Sequence, residues 1–252
     1  MIIQLTFEGK HYRANLQHGI DISIPIQEGK KNVNCYYADP VTFQTIEMGN
    51  FIGSVEKGGS VNYQKLLITP HGNGTHTECY GHLVATPVSI NTCLKNFHFI
   101  AQLITLPPTQ QSNGDAIITL ASFKEKVKSD NLPEAIIIRT LPNTDDKLYR
   151  QYSGSNPPYF DPALTALLAE KKVKHLLIDL PSLDKEVDGG LLAAHKAFWN
   201  LSHQPRKEAC VTELTYVPNS ITDGLYLLNL QIISLEMDAS PSKPILYPIE
   251  LF

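Results

Sequence analysis

Short stretches of the chain alternate between patterns typical of strands and of helices. The β-branched run Ala135–Thr140 and the apolar run His175–Leu180 are typical of strands buried on both faces of a sheet. Between them, Asp161 and Pro162 begin the segment ALTALLAEKKV, and proline is favoured in the first turn of a helix. A strand, a helix and a strand in this order indicate a βαβ unit, so the sequence predicts an α/β fold.

Other segments predict the remaining elements. The segment Ile20–Ile26 alternates apolar and polar residues, which is typical of a strand, whereas the polar residues 27–39 indicate a loop. We also predict an edge strand over Ile2–Phe7, strands over Tyr63–Thr69, Phe99–Leu106, Leu225–Leu235 and Ile245–Ile249, and a helix that Thr119 caps and that runs to Lys128. No linker-like segment divides the chain, so we predict a single domain over residues 1–252.

Composition and charge exclude several classes of protein. The chain has 252 residues, of which 42% are hydrophobic and 18% charged, ordinary values for a globular protein. Its net charge of −4 gives no electrostatic reason to expect binding to nucleic acid. The first residues lack the pattern of a signal peptide, and no apolar run approaches the roughly 20 residues that cross a bilayer. We therefore expect a cytoplasmic protein with no membrane segment.

The segment from residue 69 to residue 82 concentrates groups that can bind a metal. His76 and Glu78 are two residues apart, so an extended backbone would point both side chains to the same side. His71 precedes a glycine-rich turn that can fold it back towards them. Two imidazoles and a carboxylate suit a first-row divalent ion such as zinc or manganese. The alternative is a polar surface loop whose histidines have no shared role.

The same segment resembles the signature of a known family. Gly74–Glu78 (GTHTE), followed by His82, resembles the motif HxGTHxDxPxH of the cyclase-like metal-dependent hydrolases, which include bacterial kynurenine formamidase and isatin hydrolase. Five further blocks resemble family blocks and occur in the same order: Asp21–Ile26, Ile178–Asp184, Leu191–His195, Glu213–Leu214 and Asp238–Pro244. Six blocks in family order make the resemblance specific.

The resemblance implies a fold and a metal site. The fold would be the swivelling β/β/α type, a mixed sheet with flanking helices, and the protein would form a homodimer or a larger homo-oligomer. By position, His76, Glu78 and Glu213 would bind a first ion, and His71 would complete its ligands. His195 would bind a second ion, bridged to the first by the two carboxylates. The site would therefore hold one or two zinc or manganese ions.

The resemblance also implies a reaction. His82 falls at the position of the proton-transfer histidine, and Tyr36 lies near the position of a substrate-facing aromatic residue, with core packing as the alternative for Tyr36. Asp179 and Asp184 are expected to cap or shape the end of a strand. The implied activity is hydrolysis of a carbon–nitrogen bond in a small amide or cyclic amide by metal-activated water, as in arylformamidases. The alternatives are a non-catalytic protein that binds a metal or a small acid, and a lactonase or cyclodehydratase.

Three positions depart from the family motif. The first histidine of the motif would fall at Gly72, but this chain has His71 one residue earlier. Glu78 stands where the family has aspartate, and its extra methylene group could favour one metal ion over two. Cys79 and Tyr80 replace an alanine and a proline, and we expect Cys79 to be a buried structural thiol. These departures indicate a divergent member of the family.

Overall fold

The computed structural model describes residues 1–252 as short helices packed around a large mixed sheet. The strands are β1 (Ile2–Phe7), β2 (Lys10–Asn15), β3 (Ile20–Asp21), β4 (Thr42–Thr45), β5 (Glu47–Met48), β6 (Phe51–Ile52), β7 (Gln64–Leu67), β8 (His76–Cys79), β9 (His98–Leu106), β10 (Thr109–Gln110), β11 (Ala116–Ile118), β12 (Ala135–Thr140), β13 (Tyr159–Phe160), β14 (His175–Ile178), β15 (Cys210–Glu213), β16 (Gly224–Ile232) and β17 (Ala239–Leu251). The α-helices are α1 (Ile90–Cys93), α2 (Leu120–Lys126), α3 (Pro162–Glu170) and α4 (Ala193–Trp199), and 3-10 helices span Tyr80–Leu83 and Asp145–Leu148. None of the helices combines the length and the apolar character needed to cross a membrane.

Seven strands close into a barrel. Their order is β8, β15, β14, β12, β9, β16 and β17, and β17 also pairs with β8, which closes the ring. Strands β9, β12, β14 and β15 run parallel to one another, whereas β8 and β16 run antiparallel to their neighbours. Strands β2 and β1 extend β17 beyond the barrel, with β1 at the edge as predicted. The predicted single α/β domain with a mixed sheet and flanking helices is confirmed.

Helices cover the outer face of the parallel strands. Ile136 of β12 belongs to a buried cluster that includes Leu164 and Leu168 of α3. The side chain of Asp161 caps α3, and Pro162 occupies its first turn, where its missing N–H costs nothing. Because α3 connects β12 and β14, which are parallel neighbours, the predicted βαβ unit is confirmed.

The inner face of the same strands forms the core of the barrel. Ile137 of β12 lies between Leu103 of β9 and Leu177 of β14 in the sheet register. All three are buried in a second cluster, to which each of the seven barrel strands contributes. Since successive residues of a strand point to opposite faces, Ile136 packs against helices and Ile137 packs inside the barrel. Burial on both faces explains why β12 is apolar almost throughout.

Strand β3 is shorter than predicted. The sequence predicts a strand over Ile20–Ile26, but only Ile20–Asp21 pairs as a strand. The Asp21 carboxylate accepts hydrogen bonds from the N–H and the hydroxyl of Ser23, at 2.9 Å and 2.6 Å. Such local hydrogen bonds compete with the ladder of a sheet. Ile22 is nevertheless buried, so the alternating pattern does identify a core residue.

The remaining predicted elements are all present. The strands differ by a few residues at their ends from the predicted ones. The helix after Thr119 is α2, which ends at Lys126, and the Thr119 hydroxyl accepts the N–H of Ser122 as a cap. Strand β17 is longer than predicted because it pairs in turn with β8, β16, β3 and β2.

The barrel core predicts a large loss of stability when Ile137 is truncated. Ile137 is fully buried between two neighbouring strands, so Ile137→Ala should lower the free energy of unfolding by about 2–5 kcal/mol. The matched control is Ile2→Ala, since Ile2 is 67% exposed on the edge strand, and it should cost less than about 0.5 kcal/mol. Urea denaturation followed by fluorescence measures both. Similar losses in the two variants would contradict this description of the core.

Candidate metal centre

Strand β8 carries two of the predicted metal ligands on one face. His76 and Glu78 leave the strand on the same side because they are two residues apart, and both are buried. Thr77 and Cys79 point the opposite way, into the barrel. Cys79 belongs to the interior cluster, as expected of a structural thiol, and the hydroxyl oxygens of Thr77 and Thr212 lie 2.8 Å apart. The site therefore lies outside the barrel wall, on the face that the helices cover.

Strand β15 supplies a third predicted ligand. Glu213 is paired with His76 in antiparallel register, and directly opposed residues present their side chains on the same face. Glu213 Oε2 lies 3.4 Å from His76 Nε2. One ligand atom from each of His76, Glu78 and Glu213 lies within 4.8 Å of those of the other two, which is close enough to hold one metal ion.

Helix α4 brings His195 to the same place. Its Nε2 lies 3.0 Å from Glu78 Oε1 and 3.4 Å from Glu213 Oε1. Its Nδ1 lies 2.7 Å from the carboxylate of Asp184, which also accepts the backbone N–H groups of Ala194 and His195 at the start of α4. Asp184 therefore caps helix α4 and orients the ring, whereas the sequence predicts only that it caps or shapes the end of a strand. We refer to His76, Glu78, His195 and Glu213 as the inner cluster.

The inner cluster leaves three buried atoms without hydrogen-bond partners. These atoms are His76 Nε2, Glu78 Oε1 and His195 Nε2, and although the last two lie 3.0 Å apart, they do not have the geometry of a hydrogen bond. His76 Nδ1 donates to the carbonyl oxygen of Gly74 at 2.9 Å, so its Nε2 presents a lone pair to the cluster. Histidines that bind metals are oriented in this way, by a carbonyl or carboxylate on the other ring nitrogen. Since an unsatisfied buried polar group costs about 1–3 kcal/mol, three of them facing one another fit a bound cation.

The charges of the inner cluster point to the same conclusion. Burial alone would raise the pKa of Glu213, but contacts with His195 and His76 lower it to about 2. Burial also acts to lower the pKa of His195, but Asp184, Glu213 and Glu78 together raise it well above its usual value. A proton on His195 therefore compensates part of the negative charge of the carboxylates. A metal ion that bound His195 Nε2 would replace that proton.

The turn before β8 explains why the first histidine is displaced by one residue. A Cβ atom at Gly72 would lie 2.4 Å from Ala38 Cβ and 3.2 Å from the carbonyl oxygen of Cys35. Position 72, where the family motif has histidine, therefore has no room for a side chain. The imidazole comes instead from His71, whose Nε2 lies 3.6 Å from Glu78 Oε2.

His71 lies beside His82 and Asp238 on the solvent side of Glu78. Asp238 Oδ2 lies 2.9 Å from His71 Nε2 and 3.2 Å from His82 Nδ1, and the two rings stack with centroids 4.6 Å apart. We refer to these three residues as the outer cluster. The sequence alone predicts no role for Asp238, although this residue begins the last of the family-like blocks. Membership of that block is the signal in the sequence that could have identified Asp238. Its contact with His71 and His82 cannot be read from spacing, because Asp238 is far from both histidines in the sequence.

Both clusters open into one cavity of about 340 Å³. Its wall is completed by Tyr36, Ser182, Lys185, Glu186, Asp188 and Leu192. The structure thus places Tyr36 at the cavity. Burial of its hydroxyl raises the pKa of Tyr36, so the phenol stays protonated and can donate a hydrogen bond. The charge of Lys185 is already paired, since its Nζ lies 2.8 Å from Asp115 Oδ1.

Comparisons with known proteins agree with this fold. A family model described as "Putative cyclase" matches residues 20–185. A structure described as a potential metal-dependent hydrolase with cyclase activity has a TM-score of 0.66 at 16% identity, covering 91% of this chain and 97% of that chain. A predicted metal-dependent hydrolase from Bacillus stearothermophilus has a TM-score of 0.61 at 17% identity, covering 91% and 98%. An isatin hydrolase bound to the product analogue thioisatinate has a TM-score of 0.64 at 14% identity, covering 92% of each chain. A comparison with curated proteins found no significant match.

The family match and the structural similarities establish different things. At these identities the solved structures show the fold, and they confirm the cyclase-like architecture that the resemblance implies. The family match includes His71, His76 and Glu78 and ends before His195 and Glu213. The structure alone brings those last two residues to the site. Because the match spans more than half of the chain, this protein belongs to the cyclase family, as a divergent member.

Proposed function

We propose that the protein is a metal-dependent hydrolase that cleaves the carbon–nitrogen bond of a small amide or cyclic amide, as arylformamidases do. The observation that carries this proposal is the set of three unpartnered buried ligand atoms that face one another in the inner cluster. The similarity to an isatin hydrolase supports the reaction class, since isatin is a cyclic amide. The cavity of about 340 Å³ suits a small molecule.

The inner cluster would hold the metal. His76, Glu78, His195 and Glu213 supply two imidazoles and two carboxylates, a donor set that suits zinc or manganese. Both carboxylates have oxygens facing more than one histidine, so one or two ions fit the donor set. His71 lies at the edge of this cluster, with its Nε2 3.6 Å from Glu78 Oε2 and its ring centroid 5.5 Å from that of His76, so it would complete the ligands from the periphery. A bound divalent ion would lower the pKa of water and polarise the carbonyl oxygen of the substrate.

His82 would transfer the proton that the leaving nitrogen requires. Burial acts to lower its pKa, but the neighbouring carboxylates of Asp238 and Glu78 raise it above the usual value. A raised pKa favours the protonated ring, which is the form that a general acid requires. The ring also lines the cavity, where it can reach a bound substrate, and the protonated phenol of Tyr36 can orient that substrate.

Removing the imidazole of His82 should abolish turnover without releasing the inner metal. In His82→Ala, hydrolysis of N-formylkynurenine, isatin or a simple cyclic amide should fall by about 10²–10⁴-fold, the usual contribution of a general acid. The control is His203→Ala, since His203 is an exposed histidine outside the cavity. Both variants are assayed with one equivalent of Zn²⁺ and analysed for bound metal. Loss of the tightly bound ion in His82→Ala would identify His82 as a ligand instead. No hydrolysis of any amide or ester by the metal-loaded wild type would favour a binding protein.

Removing the charge that orients His195 should weaken metal binding. Asp184→Asn keeps an oxygen that can cap α4 but removes the carboxylate that faces His195 Nδ1. We expect the affinity for Zn²⁺ to fall by about 10–100-fold, as with other outer partners of metal-binding histidines. Competition with a chromophoric chelator measures the affinity.

The matched control for that experiment is Asp188→Asn. Asp188 lines the same cavity, but its carboxylate accepts the N–H groups of Gly190 and Leu192 and contacts no histidine. This variant should bind Zn²⁺ as the wild type does. Equal losses of affinity in the two variants would contradict the orienting role of Asp184.

A further inference from the structure

The outer cluster has the donor set and the spacing of a metal site. Its donor atoms, His71 Nε2, His82 Nδ1 and Asp238 Oδ2, all lie within 4.8 Å of one another. A tetrahedral ion with bonds of about 2.0–2.2 Å holds its ligands roughly 3.4 Å apart, and Asp238 Oδ2 lies 2.9 Å and 3.2 Å from the two nitrogens. Glu78 Oε2, at 3.6 Å and 3.8 Å from the same nitrogens, can supply a fourth ligand.

The outer cluster is separate from the inner one. Glu78 turns Oε1 towards His195 and Oε2 towards the outer histidines, so each cluster has its own oxygen. The side chains of His71 and His82 are 27% and 32% exposed, against 3% for His195. Two metal ions held side by side are a common arrangement in hydrolytic sites. The structure therefore allows both clusters to be filled at once.

We propose that the outer cluster binds a second divalent cation, more weakly than the inner cluster, and that this ion inhibits hydrolysis. The binding is weaker because its ligands are partly hydrated, so that water competes for the cation. The inhibition rests on the proposed function. An ion held by His82 Nδ1 would fix that ring in the outer cluster, so the ring could not move towards the leaving nitrogen of a substrate in the cavity. The ion also narrows the cavity in front of Glu78.

The binding experiment compares the number of bound ions in the wild type and in Asp238→Asn. In equilibrium dialysis against Co²⁺, Asp238→Asn should bind one equivalent of Co²⁺ fewer than the wild type. The affinity of the tightly bound equivalent should be the same in both proteins. His71→Asn should weaken the same equivalent by at least about tenfold, since even the loss of an outer partner of a ligand costs that much. Asp188→Asn, which lines the cavity without contacting the outer histidines, should keep every equivalent.

Two results would overturn the proposed site. One is that the wild-type protein binds no second, weaker equivalent of Co²⁺ at concentrations up to millimolar. The other is an Asp238→Asn variant that binds as many ions as the wild type, which would mean that Asp238 and the two histidines form only a hydrogen-bonded group. Circular dichroism of each variant checks that the fold is retained.

The inhibition is tested by the ratio of activity in excess Zn²⁺ to activity with the tight site just filled. This ratio should be about 0.1 or lower in the wild type. In Asp238→Asn it should stay near one, whatever the basal rate of that variant. A wild-type activity that rises as the weaker ion binds would overturn the inhibitory role. If no substrate is hydrolysed at all, the proposed function fails, and the dialysis result still decides whether the outer cluster binds metal.

Discussion

Two carboxylates, Glu78 and Glu213, are buried on adjacent strands of a closed barrel, and their ion-pair partners are all histidines. Burying a carboxylate is costly unless a cation compensates it. Closure of the barrel holds β8 between β15 and β17, so neither side chain can turn to solvent by a movement of its strand. The two buried carboxylates therefore require a positive charge close to them, and the other side chains of the site lie around them.

The surrounding elements orient the groups that meet this demand. The carbonyl oxygen of Gly74 fixes the His76 ring, and the N–H of Leu183 donates to Glu213 Oε1 at 3.2 Å. Asp184 links the start of α4 to the ring of His195. Three of the four side chains of the inner cluster are thus held by backbone groups or by the cap of α4, and the assembled cluster depends on the fold being intact. The outer cluster is built differently, from a turn, a 3-10 helix and the connection into β17, and it is correspondingly open to solvent.

The sequence predicts the elements of this fold well, because buried positions are occupied by apolar residues and so determine the pattern of apolar and polar residues along each element. The alternation of Ile136 and Ile137 between two apolar environments produces the continuous apolar run of β12, and Asp161 with Pro162 marks the start of α3. The sequence-based prediction fails where a side chain bonds to the backbone two residues away, as Asp21 does with the N–H of Ser23, since this local competition does not show in the periodicity.

The composition of the inner cluster follows from motifs, but its surroundings do not. The resemblance names His76, Glu78, His195 and Glu213, and the structure brings them together, while their roles as ligands stay a prediction. Position 72 is closed to a side chain by Ala38, a contact between segments distant in sequence that no local pattern encodes. The pairing of Asp238 with His71 and His82 is equally non-local, because it depends on how β17 returns to β8.

The central claim is that the inner cluster is a metal site, and anomalous diffraction from crystals grown with Zn²⁺ tests it most directly. The account predicts a peak at the zinc edge within about 2.0–2.2 Å of His76 Nε2 and of a carboxylate oxygen of Glu78 or Glu213. No peak at these side chains in crystals soaked in excess Zn²⁺, together with protein that contains no metal by elemental analysis, would contradict it.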